Sequence, residues 1–172
     1  MRLWAPPQNC FTRVSRVIER NFLQDSFDDI ANFKAVLAEH GLPGALEFLN
    51  RRAPHRFTAV YKLDGATMLN LGIYDRLGEV LSPLPPTPNE NSLCDYVTAQ
   101  QAFVSNNVLE DPRLTNHFQR GLTNAYVGVP LSRGPRHLYG TLCQMDPQTK
   151  KLSDSEYRFL EMVAPLLLDY LD

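Results

Sequence analysis

Cysteine and histidine are scarce in this sequence of 172 residues, and their spacing excludes two classes of site. Cys10, Cys94 and Cys143 are too far apart for a disulfide framework or a Cys-x-x-Cys metal site. The four histidines show no His-x-x-x-His spacing. We therefore expect no structural disulfide, no metal site and no iron–sulfur cluster.

Charge of one sign and long apolar runs are also lacking. A net charge of −2 gives no basic surface for nucleic acid or for an anionic membrane. No apolar run approaches the roughly 18–20 residues that span a bilayer. The opening MRLWAPPQNCFTRVSRVIER lacks the continuous apolar core of a secretory signal. We therefore expect a cytoplasmic protein with no nucleic-acid or membrane partner.

Apolar residues at helical spacing are present over about the first 55 residues. One helix is predicted to begin after Asn9, and a second is predicted from Ser26 to Gly41, with acids in its first turn. A third is predicted to begin near Pro43. Amphipathic helices of this kind pack on a sheet or on one another.

The pattern changes to strands from residue 57. The runs FTAVYKL and MLNLGIY flank Asp64-Gly65, which predicts a hairpin. The proline-rich SPLPPTPNENS predicts a long loop that covers a site. Short helices are predicted after Ser92, through LCDYVTAQQ, and from Pro112 through TNHFQRG, with a short strand AFVSN between them.

A second hairpin, 125–131 and 138–145, and a capped helix beginning with SDSE close the chain. This order of elements predicts a mainly antiparallel sheet covered by helices, which is an α+β domain.

Six ordered segments of the chain together resemble a GAF domain of the bacterial sensory type. They are FTAVYKLDG, SLCDYV, FVSNNVLEDPRL, AYVGVPL, YGTLCQMD and SDSEYRFLEMVAPLL. The resemblance implies a GAF/PAS-like sheet of five or six antiparallel strands flanked by helices. It assigns 43–172 to the GAF domain and 1–42 to an N-terminal helical extension.

The resemblance also implies a function, because such domains mostly sense small molecules and mostly catalyse no reaction. Their pocket lies between one face of the sheet and the loops of the middle segment, and their terminal helices often form a dimer interface. We therefore expect a non-enzymatic regulatory domain that binds a small molecule and forms a homodimer through its terminal helices. The signatures of cyclic-nucleotide and bilin binders are not recognised, so the ligand or cofactor stays unidentified.

Strand alternation sorts the residues of the second hairpin onto two faces. Val127, Val129 and Leu131 would face the helices, together with Leu138, Gly140 and Leu142. The pocket face would then carry Tyr126, Gly128, Pro130, Tyr139, Thr141, Cys143 and Met145. We predict that the pocket is lined by Tyr126, Gly128, Thr141 and Cys143. On this view, Gly128→Leu would fill the pocket and leave the fold mostly intact.

Three further residues are candidates for contact with the ligand. Tyr61 combines an apolar ring with a polar hydroxyl, which suits a pocket wall. Asp111 is expected to contact the ligand or to fix its loop with Arg113, and Phe118 is expected to close the pocket. For the small residues that strand alternation places on the pocket face, the alternative interpretation is that they merely fit a packed core.

Two other functions stay open. The domain could be a dimerisation module whose pocket is filled by side chains. It could also be an enzyme similar to the free methionine-R-sulfoxide reductases, with Cys94 and Cys143 as the redox pair. The cysteine pattern of that group is not found here, so the sensor is the function that the sequence favours.

Overall fold

The computed structural model describes residues 11–80 and 82–171, and their side chains outside 11–27. Within these residues, helix α1 (Phe11–Arg51) precedes a six-stranded antiparallel sheet, and helix α2 (Asp154–Leu171) follows it. The strands are β1 (Phe57–Asp64), β2 (Thr67–Asp75), β3 (Thr87–Pro88), β4 (Phe103–Ser105), β5 (Ala125–Ser132) and β6 (Leu138–Asp146). The expected α+β class is confirmed.

The two predicted hairpins form the centre of the sheet. The strand order is β3-β2-β1-β6-β5-β4, so β1 and β6 lie side by side in the middle. β1 pairs with β2 through the turn at Gly65, whose φ of 59° lies in the left-handed region that glycine tolerates best. β6 pairs with both β1 and β5.

Helix α1 continues without a break through Ser26, where the sequence pattern placed the start of a second helix. A serine can end or continue a helix, because its hydroxyl can bond to nearby backbone groups in either case. The break lies at Gly41, which has a φ of 62°, two residues before Pro43. The predicted boundary between the N-terminal extension (1–42) and the GAF domain (43–172) falls at this kink and stays a prediction.

The two predicted short helices are wrong in length. Only Leu93–Tyr96 and Pro112–Leu114 are helical, and both are 3₁₀ turns. Val97 is extended, and the backbone of Thr98 pairs with Gln101 instead of continuing the helix. The β-branched side chains of Val97 and Thr98 favour that extended backbone.

The helices cover one face of the sheet and form the larger core with it. Phe33 and Phe48 of α1 and Phe159 of α2 lie edge to face or tilted, with ring centroids 5.9–6.3 Å apart. Val127, Val129, Leu131 and Leu142 belong to this core, as the alternation predicts.

The prediction that Tyr139 lies on the pocket face is wrong, because Tyr139 packs against the helix-side core. The pairing of β5 with β6 shifts between Leu131 and Ser132, where Gly140 and Leu138 are the successive partners. Tyr139 is the extra residue of this bulge. A bulge reverses the alternation locally, and the sequence pattern alone does not locate it.

A single arginine joins the two helices. Arg52, one residue after α1, forms ion pairs with Asp29 of α1 at 2.8 Å and with Glu156 of α2 at 2.8 Å. Its guanidinium also lies over the ring of Phe159, 4.2 Å from the centroid, and 5.8 Å from the centroid of Phe48. The end of α1 is therefore held against the first turn of α2.

His55 is fully buried between α1 and β1, and neither of its ring nitrogens has a hydrogen-bond partner among the described residues. Burial lowers its pKa from 6.5 to about 4, assisted by Lys150 and Arg76 and opposed by Asp146. A group with a lowered pKa in the folded state stabilises the fold above its unfolded pKa. That contribution is lost as the pH falls from 6.5 towards 4.

We expect acidification to remove about 2–3 kcal/mol of stability through His55 between pH 7 and about pH 4.5. Urea unfolding of the wild type and of His55→Phe at a series of pH values measures this contribution. The free energy of unfolding of His55→Phe should depend less on pH in this window. The exposed His137→Phe is the matched control, and equal pH slopes for His55→Phe and the wild type would contradict the assignment.

Candidate functional site

The face of the sheet opposite the helices is covered by the middle segment of the chain, from the end of β2 to the start of β5. Its core consists of Ala59, Met68, Leu93, Cys94, Val97, Phe103, Val108, Leu114, Tyr126 and Cys143. Tyr61, Leu63, Ile73, Tyr96 and Met145 pack around it. This is the face on which the sequence places the pocket.

Three of the predicted site residues converge on Cys94, which the sequence prediction did not include among the ligand-binding residues. Cys94 lies in the Leu93–Tyr96 turn, where the hydroxyl of Ser92 accepts a hydrogen bond from its backbone N–H at 3.1 Å. Tyr126 Oη and Thr141 Oγ1 donate to its Sγ at 3.2 and 3.1 Å. Cys143, two residues after Thr141 on β6, belongs to the same buried cluster as Cys94.

These neighbours shift the pKa values of the two thiols in opposite directions. The hydrogen bond with Cys143 lowers the pKa of Cys94 most, and those with Ser92, Thr141 and Tyr126 add to it against the effect of burial. The same interaction and burial raise the pKa of Cys143. Burial also raises the pKa of Tyr126, so its hydroxyl keeps the proton that it donates. Cys94 is therefore the better thiolate of the pair.

The space beside Gly128 is occupied by Tyr126. A Cβ placed on Gly128 would lie 2.5 Å from the Tyr126 hydroxyl and 2.7 Å from its ring carbon Cε1. Real Cβ atoms do not approach other atoms so closely. The glycine thus admits the tyrosine that bonds to Cys94, and the room that the sequence assigned to a ligand is filled by this side chain.

An apolar cleft of about 250 Å³ opens beside this packed cluster, on the same face of the sheet. Its lining combines sheet residues with residues of the covering loops: Phe57, Tyr61, Ile73, Val80, Leu84, Gln119, Leu122, Thr123, Met145, Asp146 and Pro147. Mostly apolar walls with a few polar groups are typical of small-molecule sites. The cleft is thus a place on this face that has room for a small ligand.

Tyr61 links the cleft to the buried cluster. It lines the cleft and also packs against the cluster that contains both sulfurs. Burial, followed by the charges of Cys143 and Cys94, raises its pKa well above the usual value, so the phenol is neutral. The sequence prediction placed Tyr61 in the site, and the structure places it in the shared wall.

The hydrogen bonds that hold the covering loops include two at residues beside the cleft or in its wall. Asn70 of β2 accepts a hydrogen bond from the backbone N–H of Leu84 in the proline-rich loop at 3.1 Å. Gln119 accepts one from the backbone N–H of Leu93 at 3.1 Å. Sequence reasoning missed both residues, although a polar Asn70 inside the apolar MLNLGIY is a signal that could have identified it.

The remaining two predicted residues lie away from this cleft. Asp111 caps the Pro112–Leu114 turn and forms an ion pair with Arg113 at 2.6 Å, and that bond is the main reason why its pKa falls to about 2. Phe118 is 68% exposed and lines a separate, polar surface cleft of about 530 Å³ with Arg113 and His117. The structure therefore splits the predicted set into three places.

The described residues bring together no group of three His, Cys, Asp or Glu side chains that could hold a metal ion. None of the helices in the described part of the chain is long and apolar enough to cross a membrane.

Solved structures share this architecture at low sequence identity. The GAF domain of a phosphoenolpyruvate-protein phosphotransferase from Acinetobacter matches with a TM-score of 0.68 and 14% identity, over 84% of this chain and 91% of that one. The free methionine-R-sulfoxide reductase from Neisseria meningitidis matches with 0.65 and 16%, over 84% and 87%. The chromophore-binding domain of the bacteriophytochrome RpBphP3 from R. palustris matches with 0.66 and 13%, over 87% and 61%.

No protein-family model matches the chain, and no curated protein matches it by sequence. The likeness to the solved structures therefore concerns the fold.

Proposed function

We propose that this chain, which has the GAF fold, is a regulatory domain that binds a small molecule in the apolar cleft beside Tyr61. The observation that carries the proposal is the cleft itself, about 250 Å³ in volume. One wall is the rigid central sheet, and the other is formed by loops tied down at Asn70 and Gln119. A ligand that contacts both walls would change how tightly the loops are held.

The chemistry of the lining defines the ligand class. Ile73, Leu84 and Met145 offer apolar contact, and Tyr61 adds an aromatic ring. The volume suits a molecule smaller than a typical drug. Small-molecule binding occurs on this fold, because the Neisseria structure is in complex with its substrate and the R. palustris domain is a chromophore-binding one.

Native mass spectrometry of the purified chain, followed by a denatured spectrum of the same sample, tests the proposal. We expect a mass excess that disappears on denaturation. Ile73→Trp should lose this excess, because indole fills the cleft, while Leu109→Trp, outside the cleft and 44% exposed, should keep it. A bare wild-type chain that no metabolite in a thermal-shift panel stabilises would contradict the proposal.

The native mass spectrum also tests the partner that we propose, which is a second copy of this chain. Support comes from the exposed apolar side chains that α2 carries beside its buried face, Met162 and Tyr170. Helices with a second apolar stripe commonly pack across a two-fold axis. We expect the mass of a homodimer, and a monomer at micromolar concentration would contradict it.

The burial of the free thiols Cys94 and Cys143 in one cluster favours a second candidate function, reduction of free methionine-R-sulfoxide by a thiol pair. Incubation of the protein with free methionine-R-sulfoxide and dithiothreitol tests it. Formation of methionine that is lost in Cys94→Ser would replace the sensor proposal with an enzymatic one.

A further inference from the structure

Cys94 and Cys143 come from distant parts of the sequence and meet under the loop cover. Cys94 belongs to the covering turn and Cys143 to the central strand β6, and both are free thiols. Both side chains belong to the same buried cluster, and Thr141, two residues before Cys143 on β6, donates a hydrogen bond to Cys94 Sγ at 3.1 Å. A covalent bond between them would therefore join the cover to the sheet.

The surroundings give the two sulfurs different roles. Tyr126 and Thr141 both donate hydrogen bonds to Cys94, which stabilises a thiolate there. Cys143 lies on a buried strand, and its pKa is raised. Since the thiolate is the reactive form, Cys94 would react first and Cys143 would react with the product.

The cleft and the thiol cluster share one wall residue. Tyr61 lines the cleft and also packs against the cluster that contains both sulfurs. A small oxidant that enters the cleft would reach Cys94 past this ring. The pair is otherwise enclosed, since Cys94 is 3% exposed and Cys143 is 0% exposed.

We propose that Cys94 and Cys143 form a reversible disulfide when hydrogen peroxide enters through the cleft. The Cys94 thiolate attacks one peroxide oxygen and breaks the O–O bond, which leaves a sulfenic acid and, after protonation, water. The Cys143 sulfur then attacks the Cys94 sulfur, and the hydroxyl leaves with the thiol proton as a second water. Two thiols lose two electrons, one peroxide gains them, and a small dithiol reverses the change.

The disulfide would alter the cleft through the cover. The residue before Cys94 is Leu93, whose backbone N–H is bonded to Gln119 in the cleft wall. A bond from Cys94 to β6 fixes this turn to the sheet and restricts the movement of that wall. The redox state of the pair would thus set how readily the loops open, whichever ligand the cleft binds.

The experiment uses the full chain with Cys10→Ser, so that only Cys94 and Cys143 can react. The protein is treated with hydrogen peroxide, unfolded in N-ethylmaleimide and measured as an intact mass. We expect a monomeric product two hydrogens lighter that takes up no maleimide, and a peptide map that joins Cys94 to Cys143. Dithiothreitol should restore two reactive thiols, and the oxidised form should unfold at a higher temperature.

Two variants assign the order of the steps. In Cys143→Ser, dimedone should trap a sulfenic acid at Cys94, whereas Cys94→Ser should leave Cys143 largely unmodified. Peroxide-treated protein that still takes up two maleimides, or that is oxidised only to sulfinic acid or to disulfide-linked dimers, would overturn the proposal. The peptide map of the Cys10→Ser protein decides the matter even if a serine variant fails to fold.

Discussion

Phe33→Ala is expected to lower the free energy of unfolding by about 3–5 kcal/mol, the largest effect of a single substitution that we predict here. Phe33 is 0% exposed, and its ring packs on Phe48 and Phe159 with centroids 5.9 and 6.3 Å away. Truncation would leave a cavity beside the two remaining rings, Phe48 of α1 and Phe159 of α2. Urea or thermal unfolding of the variant measures the loss.

Lys34→Ala is the matched control, because Lys34 is the exposed neighbour of Phe33 on the same helix. It should change the stability by less than about 0.5 kcal/mol. The comparison also bears on the predicted division at 42 and 43. If Phe33→Ala costs no more than Lys34→Ala, residues 1–42 are an extension that the GAF core does not need.

Gly128→Leu is expected to destabilise the protein by about 3 kcal/mol or more, rather than to empty a pocket of its ligand. The first carbon of the new side chain would lie 2.5–2.8 Å from the Tyr126 hydroxyl and ring. Tyr126 is buried and hydrogen-bonded to Cys94, so it cannot swing aside without the loss of that bond. Chemical unfolding of Gly128→Leu, and of the milder Gly128→Ala, measures the cost.

A double-mutant cycle identifies the clash as the cause. Tyr126→Ala removes the obstructing ring, so Gly128→Leu should cost much less in that background than in the wild type. Equal costs in the two backgrounds would mean that Tyr126 does not occupy the space beside Gly128. A stable Gly128→Leu protein that has lost a bound ligand would instead support a pocket at this position.

The parts of the fold that follow from local pattern are predictable from the sequence. The turn at Asp64-Gly65, the two hairpins and the faces of Val127 and Val129 all depend on neighbours in the chain, and the structure confirms them. The length of the middle helices is not predictable in this way. The first ends at the extended, β-branched Val97, beyond which Thr98 pairs with Gln101, and the second also ends after one turn.

The candidate site is predictable only in part. Alternation places Tyr126, Thr141 and Cys143 on the correct face, and the structure brings them together. Alternation cannot show that the Tyr126 ring lies over Gly128, because a side-chain rotamer depends on packing across the whole face. Nor can it show that Cys94 reaches Cys143, since their contact is set by how the loop cover closes.

The position of Arg52 has a consequence for how the helices respond to a change on the sheet. One cation holds a carboxylate from each helix and lies over a ring from each helix. A sliding movement of α2 along α1 would strain all four contacts together, so Arg52 opposes independent movement of the two helices. A displacement that the sheet passes to one helix would therefore be shared by the other, and the pair would move as one body.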